Sequence, residues 1–361
     1  MFGVPTMPLT PSKNKILIYK IFLLFFGWIF RIILSLKFKK ITVHGLENLN
    51  SKGGKLVLMN HSCPLDPLLL IFFTKIPMQF LVSEMFTRHK VFGLITLLLG
   101  QISKRKLDPD LTPIRALKAW SDVGGTVALF PEGRFSWDGS PSPLMPGIEQ
   151  LILYLNVPVV TVSLSNGHKV KPAWAKFYRK TSIHLEVFPG IKFTKDDKIQ
   201  EIIKNKIFSF HTNNTLHDFE ANGNNLSAGL SHHLRFCPNC YHDNSLKENS
   251  NEINCISCHT TLSVDANNQI YGNAKFKNIS ELFLHILDFI DKEWTQQGIL
   301  LSKHPATLYN VSKKKFVVVS SGIFKLEKEK LVIGDFALNY KDIQQATMDW
   351  GDFILIKTKQ V

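Results

Sequence analysis

The chain has 361 residues, 45% of them hydrophobic, with forty-three Lys and Arg against twenty-nine Asp and Glu, a formal charge of +14 and a pI near 9.4. A balance of this sign points to anionic partners, lipid headgroups or nucleic acid, and away from cationic ones. No P-loop or dinucleotide fingerprint is present, which excludes a nucleotide site built on either motif.

The first predicted element is an apolar segment, Ile16 to Phe38, interrupted by Lys20 and Arg31. Only ten residues, Ile21 to Phe30, are uninterrupted, against the roughly 20 that a plain membrane span needs. Eleven residues of helix return to within about 20° of the starting face, so Lys20 and Arg31 align. The expectation is a helix lying in the membrane interface, with Lys37, Lys39 and Lys40 beside the headgroups. A tilted transmembrane anchor with snorkelling cations is the alternative. Bulky residues and Arg31 stand where a signal peptidase would need small ones, so residues 1–40 are read as a retained membrane-associating segment.

Next comes Asn60 to Asp66, NHSCPLD, with His61 and Asp66 at H-x4-D spacing. In a continuous helix the two would stand about 140° apart, so this is not a helix-face pair. Pro64 and Pro67 instead impose a turn feeding the apolar run Leu68 to Phe73, with Ser62 or Asp66 available to cap its first turn. A turn can fold the carboxylate onto the imidazole, where it fixes the tautomer and leaves Nε2 as a general base. Cys63 inside this motif is read as a small buried hydrophobe, being poorly placed to share a proton with His61. Ser62 and Ser136 read as turn residues.

Thr126 to Phe130 reads as a buried strand, broken at its carboxyl end by Pro131-Glu132-Gly133-Arg134, where open α/β sheets place their ligands. Gly133 permits close backbone approach, and Arg134 offers a planar fork suited to phosphate.

With these two strings the chain resembles the glycerolipid acyltransferases typified by 1-acylglycerol-3-phosphate acyltransferase. Two more blocks follow the family's order: LLGQISKRK at Leu98 to Lys106, where Arg105 or Lys106 matches the family's cation, and VPVVTVSLSNG at Val157 to Gly167. Gly147 in LMPGIEQL resembles the family's Gly before a helix. Met145 and Pro146 stand where a basic residue is often found, and Thr161 replaces the usual second proline. The resemblance implies an α/β acyltransferase domain over 41–212 in which His61 is the base and Asp66 orients it. Glu132, Gly133 and Arg134 would place the acceptor's phosphate, with Arg105 or Lys106 adding charge. It further implies transfer of a fatty acyl group from acyl-CoA or acyl carrier protein to a lysophospholipid hydroxyl at a membrane surface, with the site facing the cytoplasm. No cofactor is required for the transfer.

Asn213 to Ser231 is rich in Asn, Gly, Ser and His, and 213–232 reads as a linker. Beyond it Cys237, Cys240, Cys255 and Cys258 form C-x2-C-x14-C-x2-C, the spacing of two knuckles around one tetrahedral Zn²⁺, so 233–272 is expected to be a zinc ribbon. His242 and His259 are surplus to such a site. From 273 to 361 a small helix-plus-antiparallel-β region follows: Ser280 as cap of an amphipathic helix to about Gln297, then the strand-like runs FVVV, LVI, FAL and FILI, with Trp350-Gly351-Asp352 as a hairpin turn. Nucleic acid is disfavoured as a partner, because residues around the first knuckle, Asn239, Tyr241, Asp243 and Glu248, are mostly uncharged or acidic. The competing function is a non-enzymatic zinc-ribbon binding or regulatory protein on an acyltransferase-like scaffold.

Overall fold

The computed structural model describes residues 13–50, 52–87, 101–107, 110–137, 139–209, 221–272, 275–297, 299–312, 315–349 and 353–359. Its largest unit is a seven-stranded sheet of β1 (Ile41–His44), β2 (Lys55–Met59), β3 (Met78–Ser83), β4 (Ile102–Lys104), β5 (Thr126–Leu129), β6 (Val159–Ser165) and β7 (Ile183–Val187). The order is β1-β7-β6-β2-β5-β3-β4, with every pairing parallel except β6 with β7. β2 is wholly buried, as a central strand covered on both faces must be. Its alternation sorts the core into two layers: Val57 and Met59 join one cluster, Leu56 and Leu58 the other.

The first layer is covered by α1 (Lys13–Ser35) and α2 (Asp66–Thr74). The second is covered by α4 (Thr112–Asp122), α5 (Ile148–Leu155) and α7 (Ile199–Ile207), through Leu117, Trp120, Ile152, Ile203 and others. Short helices α3 (Glu84–Thr87) and α6 (Gly167–Val170) follow β3 and β6.

No single helix among the described residues is long and apolar enough to cross a membrane. α1 is bent by 54° between Ile16–Phe25 and Gly27–Ser35, so the straight helix on which Lys20 and Arg31 would align does not form. The bend has a packing cause: Gly27 lies against the Phe72 ring, and Phe30 stacks on Phe72 at 4.5 Å and 8°. One face of α1 enters the core through Tyr19, Leu23 and Leu34, while Leu17, Ile18, Leu24, Phe25, Trp28 and Ile32 stay exposed.

The expected linker is only partly described, and from Ala221 it is packed chain: Lys180 and Asn222 exchange backbone hydrogen bonds, and Leu226 and Leu230 are buried. Helix α8 (Leu230–Leu234) leads into an antiparallel sheet, β11-β10-β9-β8, formed by β8 (Leu246–Asn249), β9 (Glu252–Cys255), β10 (Thr261–Val264) and β11 (Ile270–Tyr271). Then comes α9 (Ile279–Gln297). Its cap is Asn278 rather than Ser280: the Asn278 Oδ1 accepts the Glu281 N–H at 2.9 Å, and the Glu281 carboxylate accepts the Lys277 N–H at 2.8 Å. The chain continues as a four-stranded antiparallel sheet, β12 (Ile299–Ser312), β13 (Lys315–Glu327), β14 (Lys330–Ile333) and β15 (Phe336–Asn339), and a hairpin of β16 (Ile343–Asp349) and β17 (Phe353–Thr358). The expected turn at Trp350 to Asp352 lies outside the described residues; Asp349 and Phe353 pair on either side of it.

Candidate active site

The site sits where parallel strands β2, β5 and β6 end, the position a doubly wound sheet gives to ligands. Beyond β2, His61 Nδ1 lies 2.9 Å from Asp66 Oδ2. Asp66 is fully buried and opens α2, with Pro67 in the first turn. Its carboxylate reaches back rather than capping forward: Oδ2 also accepts the Ser62 N–H at 2.5 Å and the Cys63 N–H at 2.9 Å, and Oδ1 accepts the Cys63 thiol at 3.1 Å. Asp66 thus shapes the turn and orients the ring with one side chain. Contact with the carboxylate requires Nδ1 to carry the imidazole proton, and Nε2 has no hydrogen-bond partner among the described residues. The His61 side chain is 17% exposed, enough for a small group to reach it.

The ring is further fixed by aromatics. Phe130 stacks on it at 4.1 Å and 18°, and Phe135 meets it edge-on at 5.5 Å. Asn60 ties the same turn to β6, donating to the Leu164 carbonyl at 2.9 Å and accepting the Leu164 N–H at 2.7 Å. At the end of β6, Gly167 approaches Ser62 so closely that a Cβ there would stand 2.7 Å from the Ser62 Cβ, so glycine is required by space.

Glu132 departs from expectation. It is buried; Oε1 accepts the His61 backbone N–H at 2.7 Å and Oε2 the Ser142 N–H at 3.2 Å. A carboxylate so engaged, whose burial pushes its pKa up, carries the wrong sign to hold a phosphate. It braces the His61 turn instead, together with the Ser136 N–H, which donates to the His61 carbonyl at 2.7 Å. Gly133 has φ +70°, a left-handed turn that permits the chain to reverse under Met145. Arg134 is exposed and, among the described residues, is held by no hydrogen bond or ion pair.

Arg105 follows β4 and forms a two-point pair with Glu84, at 2.6 Å through Nε and 3.2 Å through the terminal nitrogen. Its charge is therefore neutralised by a neighbour, which the sequence motif did not show. Lys106, beside it, is half-buried. The Cys63 thiol is fully buried, and burial, then the Asp66 charge, raises its pKa well above the ordinary thiol value, so it acts as a donor to Asp66 and not as a nucleophile. The brace by Glu132, the thiol contact and the two aromatic neighbours escaped the sequence reading; the Phe residues flanking the PEGR turn were the only available signal.

The four cysteines converge as their spacing predicts, their sulfurs all within 4.8 Å of one another. Cys237 to Cys258 and Cys240 to Cys255 are each 3.7 Å, close to the edge of about 3.8 Å of a tetrahedron with metal–sulfur arms of about 2.3 Å. The donor set therefore fits a closed metal site. The thiols are differentiated by their surroundings: burial pushes Cys237 up to about 12, whereas hydrogen bonds led by Thr260 hold Cys258 at about 5.

Known proteins add an independent line. Residues 40–165 match the family model described as Acyltransferase. The chain is 24% identical over 176 residues to a 1-acyl-sn-glycerol-3-phosphate acyltransferase of Borreliella burgdorferi, a match covering 46% of this chain and 70% of the relative. It is 26% identical over 175 residues to a chloroplastic 1-acyl-sn-glycerol-3-phosphate acyltransferase of Brassica napus, covering 47% of this chain and 50% of that one. Among solved structures, the 1-acyl-sn-glycerophosphate acyltransferase PlsC of Thermotoga maritima superposes with a TM-score of 0.48 at 19% identity, over 57% of this chain and 85% of its own. Over residues 40–165, then, this chain is similar to acyltransferases, and the two curated relatives it resembles there are both named 1-acyl-sn-glycerol-3-phosphate acyltransferases.

Proposed function

We propose that the protein is a membrane-associated acyltransferase that moves a fatty acyl group from an acyl thioester to a lysophospholipid hydroxyl, with 1-acylglycerol-3-phosphate as acceptor and phosphatidate as product. The observation that carries this reading is the His61–Asp66 pair, with Nδ1 held by a buried carboxylate and Nε2 without a hydrogen-bond partner among the described residues. The activity named for both curated relatives supports the choice of acceptor.

Nε2 of His61 takes the proton of the acceptor hydroxyl as its oxygen attacks the thioester carbonyl carbon. The tetrahedral intermediate collapses with cleavage of the carbon–sulfur bond, and the imidazolium returns the proton to the departing thiolate. Asp66 stabilises the imidazolium between the two transfers. Arg134, exposed on the loop that Glu132 braces, anchors the acceptor's phosphate, with Lys106 adding positive charge. The four-cysteine unit holds one structural Zn²⁺, which shapes the knuckles and takes no part in the transfer. The exposed apolar face of α1, followed by exposed Lys37, Lys39 and Lys40, supports docking on an anionic membrane face, which we assign to the cytoplasmic side.

The test is transfer of labelled acyl groups from acyl-CoA and from acyl carrier protein to lysophosphatidate, comparing wild type with His61→Ala in matched membranes. Loss of a factor of about 10² to 10⁴ in the variant is expected. Equal activity in the two would remove His61 from its role, and a folded wild type inert with both donors and several lysolipids would remove the reaction.

A further inference from the structure

The segment that braces His61 does not end in the acyltransferase sheet. It runs from Phe130, stacked on the His61 ring, through Glu132, Arg134 and Ser136 to Trp137. The Trp137 indole lies against the metal-binding half of the molecule, stacked on Phe283 of α9 at 4.1 Å and 21° and on His233 of α8 at 4.6 Å and 25°. His233 stands four residues before Cys237. α9 grips the first knuckle directly: His285 Nε2 lies 2.8 Å from the hydroxyl of Tyr241, the residue after Cys240, and Phe289 stacks on Tyr241 at 4.2 Å and 19°. At 1.5 Å per residue, Phe283 and Phe289 are about 9 Å apart along the helix, so one rigid element touches both the braced loop and the knuckle.

A second fastening keeps the halves together. Arg179 is 2% exposed, stacks on Trp174, and donates to the Ala266 carbonyl at 2.8 Å and to Asn268 Oδ1 at 2.7 Å, both in the turn between β10 and β11. Trp137 packs against a hydrophobic cluster that joins Trp174 and Ala175 to Cys237, Cys255, Leu282 and Ile286. The four-cysteine unit is therefore built into the wall behind the acyl-transfer loop.

We propose that the four-cysteine centre acts on the reaction by position: its metal-bound fold holds α8 and α9, which clamp Trp137 and so set the loop at 130–137, making Trp137 a positioning residue. This deepens the proposed acyl-transfer reading and rests on it. The unit's strands are only two to four residues long, so the knuckle turns depend heavily on the thiolates' shared ligand and loosen when it is released, even with the Arg235–Asp243 pair in place. Tyr241 then leaves His285 and Phe289, α9 loosens, and the stack on Trp137 is lost. Arg134 lies on the freed segment, so the acceptor's phosphate is held less well, and the Ser136 and Glu132 braces on the His61 turn slacken with it.

Two measurements on the full-length protein decide this. In hydrogen–deuterium exchange, stripping the metal with a chelator should speed exchange in 130–137 as well as in the knuckles, while 126–129 and 159–165 keep their protection. Unchanged exchange in 130–137 after verified metal loss overturns the coupling, and this arm reads out even in a protein that transfers no acyl group. In steady-state kinetics, Trp137→Ala with full metal content should raise the KM for lysophosphatidate roughly fivefold or more, with most of the effect reversed in Trp137→Phe. A smaller folded fraction alone would lower apparent kcat and leave KM where it was, so an unchanged KM in Trp137→Ala rejects the positioning role. A wild type inert with every lysolipid would reject the acyl-transfer reading, with the exchange result still deciding whether the loop and the metal centre are linked.

Discussion

The turn that carries His61 and the knuckles that carry the four cysteines are both short reversals beside strands, and they are fixed by different chemistry. The His61 turn lies over a sheet with two hydrophobic layers, and buried carboxylates shape it, Asp66 accepting the Ser62 and Cys63 N–H groups and Glu132 those of His61 and Ser142. Around the knuckles the strands are short and the packing is one cluster, shared among α9, the strands and Trp174 and Ala175 of the larger domain. A large core excludes water well enough for a carboxylate-to-backbone bond to hold a loop; a unit of about forty residues has too little core for that, and its four convergent thiols offer a metal site to do the same.

Breaking the second arrangement should have the largest effect. Replacing Cys237 and Cys258 together by serine removes ligands whose metal contributes on the order of 10 kcal/mol in comparable small units. Mass-spectrometric metal analysis should then find none bound, and limited proteolysis should cut within 233–272 while the seven-stranded sheet survives; a full complement of metal would place the ion elsewhere. Smaller, but severe for catalysis, is Asp66→Asn, expected to lower kcat by on the order of 10³ through misorientation of His61. A kcat within a factor of three of wild type would show that the backbone alone orients the ring.

Glu132→Ala sharpens the contrast further. It strips acceptors from two backbone N–H groups in a buried place, so denaturant unfolding should report a loss of about 2–4 kcal/mol. If stability held and only acceptor KM rose, Glu132 would be a substrate contact after all. The smallest expected effect is a pH dependence. Burial holds the His233 imidazole at about 4, below its ordinary value near 6.5. The unfolded chain then binds more protons than the folded one between these values, so this contribution to stability is complete above about 6.5 and is lost as pH falls toward 4. The full difference between these values corresponds to about 3 kcal/mol, which the ring's partial exposure reduces to roughly 1–2 kcal/mol, measured as the difference between wild type and His233→Phe, which cancels proton effects on the cysteines.

What the sequence discloses follows from the range of the interactions. His61 and Asp66 are five residues apart with Pro64 and Pro67 forcing the turn, so their meeting can be read locally. The cysteine knuckles are equally local, and their convergence follows from spacing. Glu132 is different: its partner is a backbone N–H 71 positions away, and no residue pattern marks a backbone donor. The bend in α1 likewise depends on Phe72 of another helix, which a periodicity argument on α1 alone does not contain. The Asn- and Gly-rich stretch after 213 looked like linker by composition. Yet a few well-spaced apolar residues, Leu226 and Leu230, suffice to fasten its later part down.

The two-faced packing of α1 bears on how the protein can be handled in water. Cutting the chain after Ser35 would not yield a soluble catalytic fragment, since Tyr19, Leu23 and Leu34 are structural filling for the layer that also contains Met59 and Leu69. Each such side chain, once missing, leaves a greasy hollow costing about 1.5–3 kcal/mol in lost burial alone. Repainting the outward residues Leu17, Ile18, Leu24 and Phe25 with polar ones keeps the filling and removes the stickiness.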